Sequence, residues 1–267
     1  MVATLLRPPQ EGLLLPAGPG LAFIDSATGQ PVVDGLRLSL LLRRGGRLLG
    51  RAVASASGAW HWPDLDDRWR QAAPGDPVLA DVVVRDLLDR FLPLSLPWPL
   101  PAIPAGQITA VTVLGSARLL QVSLLSAPGR RAPPGMVSVF GQLVGQASGQ
   151  PVAWARIRFT DTDSRVHEGS TDAEGRLALH LAGPRPQRPA APAPQLSVFS
   201  APALGTASLG LGAPDVLAFA SQPAAVALAD AGGATPYAPP VFNPGEPLIL
   251  ATLGLPATQR ELRLAGL

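Results

Sequence analysis

Prolines and glycines, 31 and 28 of them in 267 residues, recur so closely that few windows can hold three turns of helix. What fits between them is the extended strand with one apolar face. Leu36, Leu38, Leu40 and Leu42 fall on one side of such a segment, and Arg37, Ser39 and Arg43 on the other. Leu120, Val122 and Leu124 alternate in the same way, as do Ile157 and Phe159 against Arg156, Arg158 and Thr160, and then Leu177, Leu179 and Leu181. From Asp81 to Phe91 two patterns compete: Val82, Val83, Leu87 and Phe91 fit a helix, whereas Val78-Leu79 and Val82-Val83-Val84 fit a strand. The strand is preferred. The chain is expected to be all-β.

An internal repeat organises these strands. Residues 27–32 read ATGQPV and residues 147–152 read ASGQPV, about 120 residues apart. Each is followed by an alternating strand, then by a small turn ending in glycine and another strand: SASGAW at 55–60, TDAEGRL at 171–177. Glycine tolerates positive φ and proline fixes its own φ for re-entry into a strand, so Gly29, Pro31, Gly149 and Pro151 are expected to form turns. In the later turns Asp172 is expected to cap the backbone while Gly58 and Gly175 take the left-handed position. The spacing suits two tandem β-sandwich modules of Ig-like or transthyretin-like type, at 21–126 and 136–253. An N-terminal extension (1–20), a stiff Pro/Gly-rich linker (127–135) and a C-terminal tail (254–267) complete that division.

The second copy, GQLVGQASGQPVAWARIRF followed by GSTDAEGRLALHL, resembles the carboxypeptidase-regulatory-like (transthyretin-like) β-sandwich. The positions that carry the resemblance are Gly141 to Val144, Gly149 to Val152, Ala155 to Phe159 and Thr171 to Leu177. In the first copy Ser55 stands for the threonine, the aspartate is absent, and Trp60 and Trp62 take the apolar places. The resemblance implies a fold and no particular chemistry. The wider layout, with VVVRDLLDRFLPLSLP, LLSAPGRRAPPG and PPVFNPGEPLILATLG between and after the copies, looks like accessory proteins of contractile, phage-tail-like injection systems. That likeness implies a structural component of a particle assembled in the cytoplasm. The N-terminal residues point the same way, since Arg7, Pro8, Pro9 and Glu11 stand where a signal peptide needs an unbroken apolar core. Localisation is therefore expected to be cytoplasmic assembly, with release as part of a particle.

Composition removes several classes of function. There is no cysteine, which excludes disulfides, thiolate metal sites and cysteine nucleophiles. All 21 basic residues are arginine, balanced by 19 acidic ones, and Arg43-Arg44 and Arg130-Arg131 are the densest basic runs. Nucleic-acid binding needs a more concentrated stripe of charge. The long uncharged stretch from Phe91 to Ala117 carries Pro93, Pro97, Pro99, Pro101 and Pro104, which a membrane-spanning helix could not accommodate. No nucleic-acid partner and no membrane insertion are expected.

Catalytic and metal constellations are weak. No Gly-x-Ser-x-Gly occurs, and Gly205 to Gly210 reads as a loop. His61 with Asp64, Asp66 and Asp67 has ligand chemistry for a divalent cation, but reads better as a strand followed by its polar turn. Asp161, Asp163, Glu168 and Asp172 lack calcium-loop spacing and read as a hairpin end. Five tryptophans raise a sugar-stacking alternative, against which Trp60 and Trp62 are expected to fill the core.

The expected function is thus a non-enzymatic structural or interaction protein without cofactors, whose partners are protein subunits of a larger assembly. The alternative is a carbohydrate-binding or surface adhesion module. From residue 189 onward only Asp215, Asp230, Glu246, Arg260, Glu261 and Arg263 are charged. A neutral, proline-stiffened surface loses little on association, so this segment is the expected contact, with Leu209, Leu211 and Tyr237 as candidate interface residues.

Overall fold

The computed structural model describes residues 20–42, 46–55, 58–63, 78–100, 119–182, 192–201, 213–215, 221–233, 235–240, 246–256 and 259–267. Among them are sixteen strands and no α-helix. The chain is all-β.

In the first half, β1 (Gly20–Asp25) lies between β5 (Trp60–His61) and β8 (Leu119–Leu124), with β4 (Val53–Ala54) outside β5. A second sheet runs β3 (Leu48–Arg51), β2 (Leu36–Leu42), β6 (Val78–Asp86), β7 (Leu94–Leu100). The two share one core: Leu21, Phe23, Trp60, Val122 and Leu124 come from one sheet, and Leu36, Leu38, Leu40, Ala80, Val82 and Val84 from the other. The alternation read from Leu36 onward therefore points inward, and the ambiguous Asp81–Phe91 stretch is strand through Asp86 before it turns.

The second half repeats this order. β11 (Val166–Ser170), β10 (Arg156–Thr160), β13 (Gln195–Phe199) and β14 (Ala224–Ala227) follow one another as β3, β2, β6 and β7 do. β16 (Leu262–Ala265), β9 (Met136–Gly145) and β12 (Arg176–Ala182) correspond to β8, β1 and β5. Parallel pairing of β16 with β9 matches that of β8 with β1. Pairing of β14 with β16 joins the two groups into one path, and β15 (Leu248–Leu250) adds to β9. A separate core holds Ile157, Phe159, Leu177, Leu179, Leu181, Leu262 and Leu264.

One boundary needs correction. The expected tail at 254–267 carries β16, which lies between β14 and β9 and buries Leu262 and Leu264 completely. It is an interior strand of the second half. Its two inward leucines, separated by one residue, are the alternation that marks it.

The repeat extends to individual backbone bonds. Gly29 N–H donates to the Asp25 carbonyl at 2.8 Å, and Gly149 N–H to the Gly145 carbonyl at 2.9 Å. Val32 N–H reaches Phe23 at 2.8 Å, as Val152 reaches Leu143 at 2.9 Å. Pro31 bridges Ile24 and Pro151 bridges Val144. In the later turns Gly58 N–H donates to the Ser55 carbonyl, and Gly175 N–H to that of Asp172. Ser55 thus stands at the place of Asp172, not of Thr171. Its hydroxyl accepts the Ala59 N–H at 3.1 Å, where Asp172 Oδ1 accepts that of Arg176 at 2.8 Å.

Candidate functional site

Four aspartates close turns by one device. Asp172 Oδ1 accepts the N–H groups of Glu174 and Arg176, and its Oδ2 accepts Arg176 Nε at 2.9 Å. Asp86 accepts the N–H groups of Leu88 and Arg90 and the Arg90 guanidinium, which also reaches Asp34. Asp161 accepts from Asp163 and Arg165 and faces His167 Nε2 at 3.0 Å. Asp25 accepts from Ala27 N–H and the Thr28 hydroxyl. A carboxylate at the end of a strand saturates otherwise unpaired turn amides, which is why these acidic residues cluster at hairpin ends.

This accounts for the carboxylates read as calcium-like. Asp161 and Asp172 serve different turns, and Glu168 pairs with Arg158 across the β10–β11 ladder at 2.9 Å. No group of three or more His, Asp or Glu suited to a metal ion occurs among the described residues. Asp64, Asp66 and Asp67, expected beside His61, lie outside the described residues. All four turn glycines hold the left-handed conformation: Gly29 at φ 69°, Gly58 at 79°, Gly149 at 64°, Gly175 at 74°. Trp60, Trp62 and Trp154 are buried, so their faces are not offered to a sugar. Trp69 lies outside the described residues.

The interface candidates divide. Leu209 and Leu211 lie outside the described residues. Tyr237 is half-buried against the second core, and its N–H donates to the Ala227 carbonyl at 2.7 Å. Burial raises its hydroxyl above the ordinary tyrosine value, partly opposed by a hydrogen bond from the Ala251 backbone. Tyr237 supports the fold from within, so a charge placed there tests packing as much as contact.

At the end of β1 the structure brings together side chains that no local sequence pattern links. Asp25, at the end of β1, receives both terminal nitrogens of Arg130 at 2.8 and 2.5 Å. Arg130 also donates to the Ser126 hydroxyl and lies over the Phe91 ring, 4.7 Å from its centroid. Both charged side chains are more than nine-tenths buried. Burial alone would raise the Asp25 carboxyl; hydrogen bonds from Arg130, Thr28 and Ala27, with the Arg130 charge, outweigh it and hold the group below the ordinary carboxylate range. The expected linker is therefore fastened to the first half.

On the side of β12 away from the core, His180 is 2% exposed. Its Nδ1 lies 3.1 Å from the hydroxyl of Ser138, its neighbour on β9, and its Nε2 has no hydrogen-bond partner among the described residues. Burial lowers the imidazole below its ordinary value; the Arg130 charge adds to this and Asp25 opposes it. One contact does cross between the halves: Ser95 on β7 donates its N–H to the Pro214 carbonyl at 2.8 Å and pairs in parallel with Asp215. No local pattern marks these partners, because they are far apart in sequence.

No family model and no curated protein matches the sequence. Among solved structures, the Bacillus anthracis TIE protein is similar over 68% of this chain at 9% identity, with a TM-score of 0.24. The match covers 28% of that protein's length, and a likeness at this level carries no argument.

Proposed function

We propose that this chain is a non-enzymatic structural protein, two β-sandwich modules in tandem, that contributes a rigid body to a larger protein assembly. The observation that carries the reading is how its charged side chains are used. Asp25, Asp86, Asp161 and Asp172, with Arg90, Arg130, Arg176 and His167, are engaged in closing turns or in fastening the connecting segment to the first half. Such investment stiffens loops, which in many enzymes carry the reactive groups. The repeated strand order and the likeness of the second copy to carboxypeptidase-regulatory-like domains support the same reading.

Apolar tips supply surface for protein contact. Val33, Leu87 and Leu88 are each more than half exposed on adjoining loops, where Leu87 N–H meets the Gly35 carbonyl. Exposed apolar groups gathered on neighbouring loops favour association. The narrower form of the proposal is a component of a contractile, phage-tail-like particle, and it rests on the layout of the sequence. Cross-linking and co-sedimentation with the products of neighbouring genes test both forms. Co-sedimentation that is lost in Leu87→Arg and Leu88→Arg supports the reading, whereas a chain that stays alone in its native host's lysate overturns it.

A further inference from the structure

We propose that the outward face of the β3–β2–β6 ladder is a docking surface for an acidic segment of a protein partner, received by Arg37, Arg51 and Arg85. The inference rests on the reading of this chain as part of an assembly and adds the chemistry of the partner. Arg37 and Ser39 alternate with the core leucines of β2, so they face away from the core. Arg85 on β6 stands directly opposite Arg37, and Arg51 on β3 directly opposite Ser39. Residues paired across a ladder share a face, which puts the three arginines on one side of the sheet. All three are exposed.

Opposite positions bring Cβ atoms to about 5 Å and diagonal positions to about 7 Å, so Arg37 neighbours both of the others. These spacings are shorter than the ~10 Å screening length of ~0.1 M salt. Like charges placed opposite one another weaken a sheet. A carboxylate between them removes that repulsion and accepts charge-assisted hydrogen bonds, which the arginine fork can make bidentate. The acidic residue that these strands place on the same face is Asp81, opposite Leu41, and it is buried. Asp86, opposite Leu36, belongs to the other face and holds Arg90.

The second copy supplies the comparison. On β10, Arg158 meets Glu168 of β11 directly across the ladder at 2.9 Å, and Arg156 lies over the Phe199 ring, 4.3 Å from its centroid. Its outward arginines are used within the sheet. Arg37 and Arg51 have no such partner among the described residues. The first copy therefore keeps on its surface the charge that the second copy satisfies internally.

The surroundings favour a protein segment over a nucleic acid. β2, β3 and β6 carry no aromatic residue on which a base could stack. The β2–β6 ladder ends where Leu87 N–H meets the Gly35 carbonyl, beside the exposed side chains of Val33, Leu87 and Leu88. Asp34 and Asp89 stand at that tip and repel carboxylates from it. A bound segment is thereby oriented, with its acidic groups along the arginine face and its aliphatic side chains toward the leucines.

The test titrates the full chain into labelled poly-L-glutamate and follows fluorescence anisotropy. Saturable binding that weakens with added salt is expected. Arg37→Gln combined with Arg51→Gln should weaken it about tenfold, whereas Arg260→Gln, which removes an exposed arginine from the second half, should leave it unchanged. Arg37→Gln should melt no lower than the parent, because it relieves a like-charge pair, so lost binding reports the face and not the fold. If the double variant does not fold, the two single variants carry the same comparison. Absence of saturable binding overturns the proposal, as does parent-like binding by the arginine variants. An equal loss in Arg260→Gln overturns it too, by assigning the binding to net charge alone. Duplex DNA that displaces poly-L-glutamate from the same arginines in physiological salt overturns the protein reading in favour of a phosphate backbone. None of these results alters co-sedimentation with the native host's proteins, so the assembly reading stands or falls separately.

Discussion

Gln222 holds the backbone on both sides of Ala155: its amide nitrogen donates to the Trp154 carbonyl at 2.7 Å, and its amide oxygen accepts the Arg156 N–H at 3.2 Å. Trp154 needs this support because it is a buried non-glycine residue at φ 56°, a conformation disfavoured for a side chain with a Cβ. Thr171 completes the arrangement by donating to the Val152 carbonyl and accepting the Ala155 N–H. Gln222→Ala should leave a buried carbonyl unpaired and destabilise the second half by about 1–3 kcal/mol. Gln222→Glu cannot donate to Trp154 and should do no better. Urea unfolding followed by tryptophan fluorescence measures both, and parent-like stability in either variant would refute this role.

The four turn glycines should not respond equally to alanine. Each has positive φ, which sets a common cost of about 1–2 kcal/mol. At Gly29 and Gly149 an added Cβ meets nothing within 4 Å. At Gly58 it would come within 2.7 Å of a methyl group of Val33, an exposed side chain that can move. At Gly175 it would lie 2.7 Å from the Leu143 carbonyl oxygen and 3.1 Å from the Val152 nitrogen, both backbone atoms. Gly175→Ala should therefore be the most damaging. Thermal melting of the four single variants checks the order, and an equal loss at all four would show that φ alone decides.

Arg130→Ala should cost about 3–5 kcal/mol, because it leaves the Asp25 carboxylate buried without its cation. The pair Asp25→Asn with Arg130→Gln should cost less than Arg130→Ala alone, since no charge is then buried unpaired. Urea unfolding at pH 7.5 of Arg130→Ala, and of the double-mutant cycle formed by Asp25→Asn and Arg130→Gln, gives both values. Additive effects would show that the two side chains do not act on each other.

Tyr237 predicts an alkaline limb. Its folded value is raised by burial, so its contribution is present below about 10 and is lost as pH rises through the raised value. Tyr237→Phe should flatten the fall in melting temperature between pH 9 and 11, at a neutral-pH cost of about 1 kcal/mol for the lost hydrogen bond. An unchanged alkaline limb would assign it to other groups.

The strands were legible where one face is apolar and the other is not. Leu36 to Leu40 and Ile157 with Phe159 are read correctly from alternation alone, and the repeated GQPV turn exposes the duplication because turn chemistry is local. β7 was not legible, since Pro97 and Pro99 argue against a strand. They fit because β7 pairs with β6 on one side, and outward positions at a sheet edge need no N–H to complete the ladder. Asp25 and Arg130 could not be linked from sequence, being 105 residues apart. Ser55 takes the place of Asp172, and not of Thr171, because a hydroxyl and a carboxylate can accept the same turn amide, an equivalence that residue type alone does not reveal.

The contact between Ser95 and Pro214 also sets an order of events during synthesis. The Ser95 hydroxyl and amide find their partners at Ala213 and Pro214, and the first of these lies 118 residues further along the chain. At roughly 5–20 residues per second, the edge of β7 waits on the order of ten seconds for its cover. A bare strand edge on a ribosome-bound chain invites pairing with its neighbours. Pro97 and Pro99 share the outward register of Ser95, paired opposite Asp81 and Leu79 where Ser95 faces Val83, and neither has an N–H to offer. The emerging first half thus carries its own safeguard against polysome aggregation, leaving Ser95 as the donor reserved for a segment not yet made.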